Sequence, residues 1–236
     1  MALVKEGNSL KKLLLFDIDG TLIASGGAGE AALKDAAKER FGVDEDFSGI
    51  TIAGATDSGI AHKLLHKHGL PETAENISAL FDSYLQHLAT RLPKHNGRLL
   101  PGIIELLQKL KQRPDCIVAL LTGNLERGAR IKLTHYGVWD FFEFGAFADD
   151  HRNRNELGKF AKVRAFEKHG VEFPSEQIYI LGDTPKDIEC GKAIGAKTVA
   201  IATGSYNREE LAAHQPDFLL DDLSDVDAVI ESLLGK

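Results

Sequence analysis

A doubly wound α/β fold, a parallel sheet with helices on both faces and a helical unit inserted after its first strand, is what this 236-residue sequence predicts. Three observations predict it. Short apolar runs recur that are continuous rather than alternating, as expected of strands covered on both faces. From residue 101 to the C-terminus these runs alternate with helical patterns, the signature of a doubly wound domain. Between about residues 25 and 95 the alternation stops, and helical periodicity continues there without a convincing strand.

The first run is Leu13-Leu14-Leu15-Phe16. In the inserted segment Leu33, Ala36, Ala37 and Phe41 share one helical face, and Ile77, Leu80, Phe81, Tyr84, Leu85 and Leu88 share another. After Pro101, the positions Ile103, Leu106, Leu107 and Leu110 form a helical stripe, and Cys116 to Leu121 reads as a second buried strand. Tyr136-Gly137 reads as a helix end. Ile178 to Leu181 and Thr198 to Ala202 are further strands, with weaker ones at Phe144-Gly145-Ala146-Phe147 and Phe218-Leu219-Leu220. The division is therefore a core of residues 1–24 and 96–236 with a helical cap at 25–95. Gly26-Gly27-Ala28-Gly29 reads as the hinge between them, since small residues absorb the dihedral changes of opening.

Composition narrows the function. The net charge is -7 with acidic and basic residues mixed, so no basic stripe offers itself to nucleic acid. No stretch approaches the roughly 18 apolar residues of a membrane helix, and residues 1–8 lack a leader-like apolar run. The two cysteines, Cys116 and Cys190, suit packed free thiols and a cytoplasmic location. The oligomeric state is not legible.

Chemistry concentrates where strands end. The first strand runs into Asp17-Ile18-Asp19-Gly20-Thr21, two carboxylates spaced by one residue at the rim where open α/β sheets bind ligands. Such a pair repels itself unless a cation or a proton is shared. The second strong strand ends in Leu121-Thr122-Gly123-Asn124, whose hydroxyl, amide and following helix N-terminus suit phosphoryl oxygens. The strand from Ile178 ends in Gly182-Asp183-Thr184-Pro185-Lys186-Asp187, with two more carboxylates able to serve a hard cation such as magnesium. Each segment also has a plainer reading. Aspartate favours turns, and Thr122-Gly123-Asn124, Asp183 and Asp187 could simply cap helices.

Taken in order, with the helical insertion between the first and second, these three motifs resemble those of the haloacid dehalogenase superfamily, in its helical-cap phosphatase branch that includes phosphoglycolate phosphatases. The resemblance covers nearly the whole chain. It implies that Asp17 is a nucleophile forming an aspartyl phosphate and that Asp19 is the general acid and base. It further implies magnesium held by Asp17, the backbone carbonyl of Asp19 and Asp183, supported by Asp187, with Thr122, Gly123 and Asn124 binding the transferring group. The substrate implied is a small phosphorylated metabolite.

The third motif departs from the family pattern. Where a lysine, often followed by proline, is usual, the segment reads Asp149-Asp150-His151-Arg152-Asn153-Arg154-Asn155-Glu156-Leu157-Gly158-Lys159. A cation is still required there. Arg154 is the first choice, Lys159 the second and Arg152 the third, against the plainer reading of a solvated helix face. Asp149-Asp150 on the same rim either supports the site or forms a turn.

Two further features read as secondary. His62, His66 and His68 lack a third metal ligand at a telling spacing and read as surface histidines. Gly54-Ala55-Thr56-Asp57 either reaches the substrate from the cap or caps the next helix.

Dehalogenation has no alkoxide to protonate, so Asp19 argues against it. A sugar phosphate mutase shares the phosphatase chemistry. A receiver-like phospho-acceptor domain is about half as long and has no lid.

Overall fold

The computed structural model describes residues 11–235; the reading of residues 1–8 lies outside them. Among the described residues, one six-stranded sheet forms the core. It comprises β1 (Lys12–Phe16), β4 (Cys116–Leu121), β5 (Gly145–Ala146), β6 (Ile178–Gly182), β7 (Lys197–Ile201) and β8 (Phe218–Leu220). The strand order is β5-β4-β1-β6-β7-β8, and all pairings are parallel. The two remaining strands, β2 (Ile23–Ala24) and β3 (Arg98–Leu99), pair antiparallel as a ribbon at the base of the inserted segment. These two short strands are not legible as apolar runs, because two residues carry no periodicity.

The continuous apolar run of β1 is explained by what covers it. Leu14 and Phe16 pack into one core cluster and Leu13 and Leu15 into another, so both faces are dry. Helices α4 (Ile103–Lys111), α5 (Glu126–His135), α6 (Arg154–His169), α7 (Pro185–Ala193), α8 (Arg208–Ala213) and α9 (Val226–Leu234) flank the sheet. Between β2 and β3 lie α1 (Ala28–Phe41), α2 (Asp57–Lys67) and α3 (Ala74–Arg91), which share a third hydrophobic cluster of their own around Leu64, Leu80 and Leu88. Among the described residues no helix is long and apolar enough to cross a membrane.

Register sets the site. Phe16 lies opposite Leu120 on β4 and Leu181 on β6, so the three strands end level with one another. The chain leaves β1 toward β4 and leaves β6 toward β7, which makes the gap between β1 and β6 the topological switch point. Asp17 and Asp183 stand on its two sides.

The remaining readings fall as follows. Cys116 and Cys190 are buried free thiols. His62 and His66 face Glu72, and His68 faces the buried Glu45, so each histidine has a carboxylate partner on the inserted unit. Asp149 and Asp150 accept backbone N–H bonds from Glu126 and Phe147, and Arg164 clamps Asp150.

Candidate active site

Asp17, at 4 % exposure, follows β1 directly and is tied in place by its backbone N–H, which donates to the Leu181 carbonyl at 2.9 Å. Its carboxylate, with those of Asp183 and Asp187, forms a buried triad whose oxygens lie within 4.8 Å of one another. Gly20 makes this packing possible: its φ is +85°, and a Cβ there would lie 2.3 Å from Asp183 Oδ2. The Thr21 hydroxyl donates to Asp183 Oδ1 at 3.2 Å.

Arg154, the first residue of α6, inserts a 5 %-exposed guanidinium into this triad. Its Nη2 sits 2.8 Å from Asp17 Oδ1 and also donates to Asp187 Oδ1. Asp187 uses its other oxygen to cap α7, accepting from the Thr184 N–H at 3.0 Å and hydroxyl at 2.7 Å. Asp187 thus divides its oxygens, one toward Arg154 in the triad and one toward the first turn of α7.

Charge is left over. Burial pushes Asp17 up to about 6 against the pull of Arg154, and burial with repulsion from Asp17 and Asp187 pushes Asp183 up to about 8. When all three ionise, the buried carboxylates against one guanidinium leave two negative charges uncompensated, and the donors are all hard oxygens. This donor set fits a hard dication of the magnesium type.

A second cation, which the motifs did not reveal, stands on the other side. Lys132 of α5 is 3 % exposed, and its Nζ donates to Asp19 Oδ2 at 2.5 Å and to Asn124 Oδ1 at 2.6 Å. Asn124 Nδ2 donates to the same Asp19 oxygen at 2.9 Å. Burial raises Asp19, but Lys132, Asn124 and Ser25 outweigh it and hold the carboxyl below its ordinary value. Asp19 thus turns its side chain away from the metal-type triad. The available signal was helical: Ala129, Lys132 and Leu133 share the inward face of α5, where a lysine is out of place unless paired.

The loop before α2 closes over this arrangement. The Asp57 N–H donates to the Gly123 carbonyl at 2.7 Å, and Asp57 Oδ2 accepts from the Leu125 N–H at 2.8 Å. The Thr56 hydroxyl donates to the Arg152 carbonyl at 2.6 Å while accepting from the Gly59 N–H, so Thr56 caps α2 and docks at once. Gly123 permits this contact, since a Cβ there would lie 2.1 Å from the Ala55 carbonyl oxygen.

Not every predicted residue arrives at the site. Lys159 is turned outward, 61 % exposed, and pairs with Glu156 on its own helix. Arg152 is exposed and reaches the loop only through its carbonyl. Thr122 is fully buried, and its hydroxyl accepts from Asn124 rather than facing the cavity. Gly123 and Asn124 do line the cavity, beside Asp17, Asp19, Asp183 and Arg154.

Residues 14–201 match the model of the haloacid dehalogenase-like hydrolases. The chain belongs to that family. Among its family relatives, a phosphoglycolate phosphatase of Vibrio vulnificus is 28 % identical over 94 % of this chain and 97 % of its own length. The pyrophosphatase PpaX of Bacillus pumilus is 27 % identical over 92 % of this chain and 95 % of its own. A hydrolase from Pseudomonas syringae superposes with a TM-score of 0.73 at 21 % identity, covering 94 % of this chain and 99 % of the other. CbbY from Rhodobacter sphaeroides, solved with phosphate, gives 0.72 at 18 % identity over 92 % and 96 % of the two chains. At that identity the structural likeness establishes the fold alone.

Proposed function

We propose that this family member is a magnesium-dependent phosphomonoesterase acting on a small phosphorylated metabolite through an aspartyl phosphate on Asp17. The chain is a phosphatase, the activity its curated relatives carry in their names. The observation that carries the finer reading is the buried triad of Asp17, Asp183 and Asp187 facing Arg154 at the switch point.

Asp17 attacks phosphorus, the ester P–O bond breaks, and the departing alkoxide takes its proton from Asp19. Asp19 then deprotonates a water, whose oxygen attacks phosphorus and breaks its bond to Asp17, releasing inorganic phosphate and regenerating the Asp17 carboxylate. Lys132 and Asn124 hold the Asp19 carboxyl in position. Arg154 orients Asp17 and offsets charge on the phosphoryl oxygens, taking the third-motif role that Lys159 is too remote to fill. Asp17, Asp183 and the Asp19 carbonyl would hold magnesium, which would supply neutralisation of the developing negative charge. The loop at residues 52–56, with Asp57 at the start of α2, excludes water from the reaction. The helical unit at 25–95 is the cap in this reading, and the buried thiols fit a cytoplasmic setting.

The test is hydrolysis of an aryl phosphate with magnesium, without it, and with chelator, joined to acid-quench labelling mapped by mass spectrometry. Metal-dependent turnover and a phosphoryl adduct on Asp17 are expected. Full activity in chelator, or labelling elsewhere, overturns the reading.

A further inference from the structure

We infer that the ester taken by this site releases an uncharged, hydroxyl-bearing alcohol, as a small polyol or sugar monophosphate would, and that a second anionic group on the substrate is rejected. The inference rests on the phosphatase reading and specifies its substrate. It departs from what the names of several relatives would lead one to assume, because phosphoglycolate carries a carboxylate beside its phosphate.

The cavity over Asp17 has a volume of about 240 Å³. Its two cations, Arg154 and Lys132, both come from the core, and both are already paired, with Asp17 and with Asp19. Arg154 and the metal-type triad account for the phosphoryl group. Lys132 is 3 % exposed and gives hydrogen bonds to Asp19 and Asn124, so a second anion has no free cation there.

The opposite wall comes from the inserted helical unit, and among the described residues it contributes no lysine or arginine to the cavity. Its apolar part is Leu33, Ile52 and Ile60, and its charged part is Glu30 and Asp57. Lys34, the nearby cation of α1, is spent on Glu30 at 2.7 Å. Glu30 also occupies the first turn of α1, where its charge opposes the affinity of a helix N-terminus for anions. A carboxylate or second phosphate on the leaving group would therefore be desolvated against aliphatic carbon and face the Asp57 carboxylate, with Glu30 and Lys34 cancelling one another.

A hydroxyl meets the reverse situation. Asp57 spends Oδ2 on the Leu125 N–H and leaves Oδ1 without a hydrogen bond from the described residues. The Tyr84 hydroxyl, on the same wall and 3 % exposed, likewise has none. An acceptor and a donor on one cavity wall match a group that both donates and accepts. The same argument disfavours a mutase, whose bisphosphate stage needs a second phosphate site.

The experiment compares kcat/KM for glycerol 2-phosphate, 2-phosphoglycolate and fructose 1,6-bisphosphate, with an aryl phosphate as the control for phosphatase activity itself. At least a tenfold preference for glycerol 2-phosphate over both rivals, each with a second anionic group, is expected. Asp57→Asn, whose amide oxygen can still accept from Leu125, should shrink that preference severalfold by removing the repulsion. An active enzyme that turns over 2-phosphoglycolate as well as glycerol 2-phosphate overturns the inference, and so does an unmoved ratio in Asp57→Asn. If the aryl phosphate itself is inert, the phosphatase reading fails instead. The inference is then judged by calorimetric binding of glycerol 2-phosphate and 2-phosphoglycolate to the magnesium-supplied Asp17→Asn protein, where equal affinities overturn it.

Discussion

Lys132 Nζ lies 2.5 Å from Asp19 Oδ2, joining the middle of α5 to the residue that follows the candidate nucleophile by two positions. The contact fixes Asp19 on the side of the cavity opposite Arg154. The two candidate acid groups of the first motif therefore answer to two different cations, Asp17 to Arg154 and Asp19 to Lys132.

Lys132→Met should lower kcat/KM by about 10², equivalent to about 2.7 kcal/mol, the scale for losing one preorganised donor. The loss should be larger for an alkyl phosphate than for an aryl phosphate, because the aryl leaving group depends less on a proton from Asp19. Steady-state kinetics on the two esters check this; equal losses would mark Lys132 as structural only.

Arg154→Ala should cost about 2.7 to 4 kcal/mol of transition-state stabilisation by the same scale. It also leaves Asp17 and Asp187 buried without their cation, so a lowered Tm is expected alongside the lost rate. Lys159→Ala, at an exposed position, should stay within about 0.5 kcal/mol in stability and near the parent in rate. Kinetics and thermal melts of the two variants decide the third-motif role.

Asp17→Asn should abolish turnover while keeping the fold, since an amide has nearly the same shape and is a poor nucleophile. In chelator its Tm should not fall below the parent's, because burial already disfavours the Asp17 charge. Circular dichroism melts paired with the activity assay check both halves.

Stability should fall as pH rises from about 5, above the range in which the carboxylates held low by their partners titrate in the unfolded chain, to about 8 in metal-free buffer. Burial raises Asp17 and Asp57 from 3.8 to about 6 and Asp183 to about 8, so across that window the native state binds more protons than the unfolded chain. Asp57→Asn should flatten the part of the slope below about pH 6. Magnesium should raise the Tm most at the alkaline end, where the triad is ionised. Melting curves across the pH range, with and without magnesium, test the sign; a Tm that climbs steadily to pH 8 in chelator would contradict it.

The sequence by itself determined the sheet and the rim. Leu13 to Phe16, Cys116 to Leu121 and Ile178 to Leu181 are legible because a strand dry on both faces must be apolar at every position. Asp17 and Asp183 are legible because polar residues directly after such runs can only lie at the strand ends, and Asp187 follows in the first turn of the next helix. What tertiary structure decided are the choices among residues on helices and loops. Arg154 and Lys159 share α6, yet five residues turn a helix by about 140° and advance it by about 7.5 Å, so only one can meet Asp17. Sequence order cannot say which, because the facing side is set by how α6 packs against β5 and α7. Lys132 reaches Asp19 across 113 residues of chain, and Asp57 reaches Leu125 across 68; both depend on how α5 and the loop before α2 are brought over the sheet. Thr122 turns inward to Asn124 for the same reason: in a strand-end turn, neighbouring packing rather than residue type selects which polar atoms face the cavity.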